Sequence, residues 1–60
     1  MKMYSENGIV YIVSSKKMII HIYDMTGRLV KIIDAVVGVN EVPDLYKGIY
    51  VITGHKIIVK

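Results

Sequence analysis

The side chains able to do chemistry are few. His21 and His55 are the only histidines, and the chain has no cysteine. A metal centre takes about three or four ligands of the His, Cys, Asp or Glu type at suitable spacing. This pair could meet only by an accident of folding, so His21 reads as a strand side chain and His55 as a turn residue. Asp24 is placed where a general acid would need a second titratable group, and no carboxylate or histidine stands at a spacing that supplies one. Ser5, Ser14 and Ser15 lie in turn-like stretches without a nucleophile elbow. The glycines are dispersed, so no phosphate-cradling loop forms. The reading is non-catalytic, with no metal, no cofactor and no small-molecule substrate expected.

Such a chain must act through its shape. Turn signals recur at Ser5–Gly8, Ser14–Lys16, Asp24–Gly27, Gly38, Pro43–Gly48 and Gly54–His55. Their spacing is close to the roughly 8–12 residues of small all-β domains. Between them lie short runs rich in Ile, Val and Tyr: Ile9–Val13, Met18–Tyr23, Leu29–Ile33, Val39–Val42, Ile49–Thr53 and Lys56–Val59. None reaches the length of an ordinary helix, and β-branched and tyrosine side chains favour strands. Alternation puts Met18, Ile20 and Ile22 on one side of a strand, with His21 and Tyr23 opposite. By the same rule Val30 and Ile32 are expected to face the core, leaving Lys31 outside. Tyr50 and Ile52 share a side, as do Ile57 and Val59. Several runs are apolar on both faces, which is unusual for a small sheet with one wet face. Either a second apolar face packs on a parent protein, or it packs on another copy of the chain.

Two connections carry specific expectations. In Asp24-Met25-Thr26-Gly27, the Asp and Thr side chains can bond backbone N–H groups ahead of them, and Gly27 supplies a positive φ. A hairpin with a four-residue connection is expected there. In Leu45-Tyr46-Lys47-Gly48-Ile49-Tyr50, the spacing of Leu, Gly and Tyr fits a tyrosine corner, in which the hydroxyl bonds back to upstream backbone. An ordinary turn with a half-buried Tyr50 fits the spacing as well. Pro43 suits an arch and is barred from a central strand.

Charge and size narrow the partners. The net charge is +3, but Lys2, Lys16, Lys17, Arg28, Lys31, Lys47, Lys56 and Lys60 are scattered. That pattern suits solubilising charge, and nucleic-acid binding is not expected. No stretch approaches the about 18 apolar residues of a membrane span. The start of the chain lacks the pattern of a secretory leader. Sixty residues form one domain, whose lone core rarely supplies more than ~3–5 kcal/mol.

Four stretches in order resemble one family. They are Ile20, Ile22, Tyr23, Asp24, Gly27 and Arg28; then Gly38 and Asn40; then Gly48, Ile49 and Tyr50; then a short strand bracketed by Lys56 and Lys60. Together they look like the C-terminal sorting domain of the type IX (Por) secretion system, or a closely related C-terminal β-sandwich module of secreted bacterial proteins. The resemblance implies a small immunoglobulin-like β-sandwich of roughly six or seven short antiparallel strands. It implies a module behind an attached cargo in a longer exported precursor. Outer-membrane secretion machinery would recognise it and pass the cargo through the periplasm and outer membrane to the cell surface. The alternative is a structural or protein-interaction β-module with no sorting role, which homodimerises. In isolation a homodimer is expected on either reading, by pairing of an edge strand or by burial of a second apolar face. The first strand, read as Ile9–Val13, and the last are expected to be edges.

Overall fold

The computed structural model describes residues 1–60 and contains seven strands and no helix. They are β1 (Lys2–Glu6), β2 (Ile9–Ser14), β3 (Met18–Asp24), β4 (Leu29–Ala35), β5 (Gly38–Val42), β6 (Gly48–Ile52) and β7 (His55–Val59). All pairings are antiparallel. One sheet has three strands in the order β1-β2-β5, and the other has four in the order β4-β3-β6-β7. The architecture is a small two-layer β-sandwich.

Each sheet turns alternate side chains inward. Val10 and Ile12 of β2 and Val42 of β5 meet Ile20, Ile22, Tyr50, Ile52, Ile57 and Val59 of the other sheet, with Ala35 at its margin. Met3, Met18, Ile33 and Leu45 pack around this centre. The pairs Ile22 with Ile52 and Tyr50 with Ile57 lie directly opposite across their ladders. Directly opposed side chains point to the same face, so the inward set expected for β3, β6 and β7 is the one found.

β4 departs from that expectation. Ile32 is exposed, whereas Ile33 and Ala35 point inward. The cause is a register shift beside Ile22 and Tyr23: Ile22 faces Lys31, but Tyr23 faces Leu29. One extra residue, Val30, is accommodated, which is a β-bulge. A one-residue slip exchanges the two faces of a strand. Lys31 therefore starts on the core side of an edge strand rather than outside. Its stem runs along the rim and its Nζ donates to the Pro43 carbonyl at 3.1 Å, as long basic side chains do at the edge of a core.

The first strand also differs. β1 pairs with β2 through an Asn7-Gly8 turn, both residues having positive φ, and this dipeptide is the strongest short-range hairpin signal. β2 is consequently an inner strand, flanked by β1 and β5, and not an edge. The open edges are β1, β5, β4 and β7. β1 and β7 approach each other across the two layers and close one side of the sandwich. Ser14 is the one buried polar side chain. Its Oγ donates to the Lys16 carbonyl and accepts from the Lys16 N–H, so the turn that ends β2 carries no unpaired group.

Candidate functional site

The family-like residues occupy four separate connections and edges of the sandwich. The first joins β3 to β4. Asp24 Oδ1 accepts from the Thr26 N–H at 2.9 Å, the Thr26 hydroxyl at 2.6 Å and the Arg28 N–H at 3.0 Å. The Asp24 N–H donates to the Arg28 carbonyl, and the Gly27 N–H to the Asp24 carbonyl. Gly27 has φ +86 with open space around the position of a Cβ, so a side chain there would suffer backbone strain rather than a clash. One carboxylate oxygen thus organises the entire reversal. The Thr26 hydroxyl, followed by the Arg28 backbone N–H, holds the Asp24 carboxyl below its usual range. These donors favour the charged form. A depressed folded value means that the turn's contribution is complete above the ordinary aspartate value of about 4 and is lost as pH falls through the folded one. Asp24→Asn is expected to flatten the acid limb of the stability–pH curve. Thermal melts from pH 7 to pH 2 check it, and an acid limb identical to that of the parent would count against this role.

The second connection crosses from β4 to β5. Asn40 sits opposite Ile12 in the β2–β5 ladder. Its Oδ1 accepts from the Val36 N–H at 2.9 Å. Its Nδ2 donates to the carbonyls of Val36 at 3.0 Å, Ile12 at 3.2 Å and Gly38 at 3.2 Å. The amide ties the crossover to the sheet it is entering. This role was not legible in the sequence, where Asn40 stood out only through the resemblance.

The third connection runs from β5 to β6. Tyr50 is buried, and its hydroxyl donates to the Tyr46 carbonyl at 2.8 Å. The aromatic ring is anchored in the core while its tip secures the arch four residues upstream, as in a tyrosine corner. Gly48 has φ +153, and a Cβ there would lie 3.9 Å from the Tyr50 ring. Tyr50→Phe removes the only side-chain donor on that arch carbonyl and is expected to cost about 1–2 kcal/mol. In a chain this small, each kcal/mol moves the melting midpoint by about 4–8 °C. A midpoint unchanged in Tyr50→Phe would contradict the assignment.

The fourth element is β7. Lys56 and Lys60 are exposed at the two ends of an edge strand whose Ile57 and Val59 are buried and whose Ile58 is open to solvent. Tyr23, Val51 and Lys56 form one row across β3, β6 and β7, so the first and fourth stretches share the outer face of the four-stranded sheet. Gly38 and Asn40 belong to the other sheet. The family-like positions do not converge on one pocket.

His21 and His55 do not come together. His21 stacks on Tyr23, with ring centroids 6.4 Å apart, on the outer face. His55 is exposed at the start of β7, opposite the inward-facing Ile52. No group of three or more His, Cys, Asp or Glu side chains is arranged to hold a metal ion. Tyr4 and Tyr11 stack at 5.0 Å on the outer face of the three-stranded sheet. Burial, then Glu41 and Glu6, raise the Tyr11 hydroxyl's pKa. That aromatic pair is bordered by carboxylates, which repel a polyanion; stacking platforms for single-stranded nucleic acid are bordered by cations. Comparison with protein-family models, curated proteins and solved structures finds no match.

Proposed function

We propose that this chain is a non-catalytic C-terminal sorting module, which directs an attached cargo through the outer membrane to the cell surface. The observation that carries the reading is the ordered set of four family-like stretches, each spent on one structural feature of a single small sandwich. Tyr23 to Arg28 make the Asp24-centred hairpin. Gly38 and Asn40 make the stapled crossover. Gly48 to Tyr50 make the tyrosine-locked arch. Lys56 and Lys60 bracket the last edge strand. Residues spent in this way on turns leave recognition to the exposed surface, which suits an address more than a reaction. The partners on this reading are the outer-membrane secretion machinery and the cargo, and the site of action is the cell surface.

The test is a periplasm-directed reporter followed by residues 1–60, expressed in a bacterium that has the type IX exporter. The reporter is expected on the surface or in the medium, and retention in the periplasm would overturn the reading. Lys56→Glu with Lys60→Glu changes only exposed side chains. If the lysine-bracketed tail is part of the address, this pair lowers the exported fraction without altering the melting midpoint.

A further inference from the structure

The four-stranded sheet has an outer face that nothing in the chain covers. Ile19, Tyr23, Leu29, Ile32, Ile49 and Ile58 all lie on it by their pairing registers. Their exposures run from 37% at Tyr23 to 60% at Ile19. With side chains of ordinary size this leaves roughly 500 Å² of apolar surface on one face, near the upper end of what a monomer exposes. Two such faces would bury about 1,000 Å² together, which reaches the lower bound of a specific interface.

We infer that this face is the contact between two copies of the chain, packed sheet against sheet. The edges are poorer candidates, because each is guarded. β1 carries Lys2 and Glu6, β5 runs into Pro43, β4 is bent by its bulge, and β7 is bracketed by Lys56 and Lys60. These are the features that block edge-to-edge pairing. The outer face has no such protection: its charged groups, Asp34 and Lys56, stand on the two outermost strands, and on the two central strands Ile19, Tyr23, Ile49 and Val51 are accompanied by one imidazole, His21, which stacks on Tyr23. A 60-residue chain with ten buried apolar residues has much to gain from a further layer packed on its sandwich. An isologous contact lets each copy supply the layer the other lacks.

The dimer is independent of the sorting reading and is measured on the isolated chain. In sedimentation velocity and light scattering, the chain is expected at twice its 6.8 kDa mass. Ile32→Lys and Ile58→Lys, at positions 55% and 56% exposed, are expected to give the single-chain mass and to raise the dissociation constant at least tenfold. Val39→Lys, on the outer face of the other sheet and 59% exposed, should leave the dimer intact. Ile19→Thr combined with Ile32→Thr keeps β-branched residues, and should weaken the dimer even if a lysine variant fails to fold. A parent chain that is monomeric at millimolar concentration would overturn the inference and leave the face to another occupant, such as the cargo. A dimer that survives every substitution on the face would also overturn it, in favour of an edge.

Discussion

Ile22→Ala is expected to leave the chain largely unfolded at room temperature. Ile22 is fully buried on β3, an inner strand of the four-stranded sheet, and lies opposite Ile52 on β6 and Lys31 on β4. Truncating a buried isoleucine to alanine costs about 2–5 kcal/mol, through lost transfer free energy and the cavity that remains. A core of this size supplies only ~3–5 kcal/mol. Relaxation will not close the cavity, because the neighbours are pinned: Ile52 by its ladder to β7, and β3 itself by β4 and β6. Far-ultraviolet circular dichroism and a thermal melt check the expectation. A cooperative melt within a few degrees of the parent would mean that the sandwich has a stability reserve that its core does not explain. Ile32→Ala provides the contrast in the monomer. It removes an equal side chain from the exposed face, and its effect is expected to stay within about 0.5 kcal/mol.

Asn40→Asp should be the most damaging change outside the core. The substitution keeps size and shape and removes the donor. In the parent, Nδ2 supplies the carbonyls of Ile12, Val36 and Gly38. A carboxylate there would direct negative charge at three carbonyl oxygens and keep only the bond from the Val36 N–H. Losing partners for partly buried carbonyls costs about 1–3 kcal/mol, and the repulsion adds to it. Repulsion also raises the pKa of the introduced carboxyl in the folded state, so the loss is largest above that value and shrinks as pH falls through it. The variant should therefore gain stability as pH falls from about 6 to 4, a range in which parent and variant both keep the contribution of Asp24. Paired denaturant titrations across this range check for a rise in the variant that the parent lacks. Equal slopes would argue that Asn40 is a surface residue with no hold on the crossover.

The inward faces of β3, β6 and β7 were legible because their alternation is uninterrupted: Ile20 and Ile22, Tyr50 and Ile52, Ile57 and Val59 all reach the core. The same rule failed on β4, since a bulge adds a residue without leaving a mark in the hydrophobic pattern, and Leu29 to Ile33 is apolar on both faces except for Lys31. β1 was missed for a different reason. Lys2-Met3-Tyr4-Ser5-Glu6 is a half-exposed edge with charge at both ends, and its pattern is weaker than the Asn7-Gly8 turn that follows it. Asp24 and Tyr50 were legible because their bonds are local, spanning two to four residues. Asn40 was not, because its bond to Ile12 closes a separation of 28 residues. The apolar runs that looked out of place on a wet face became the outer face of the four-stranded sheet, where Ile19, Ile32 and Ile58 have no partner within the chain.

The sorting role is tested most directly by the dependence of export on the machinery. The surface fraction of a periplasm-directed reporter ending in residues 1–60 is measured in the same strain with the type IX exporter intact and with it deleted. Surface reporter is expected in the first and periplasmic reporter in the second. Reporter that stays in the periplasm of both, or reaches the surface of both equally, would contradict it.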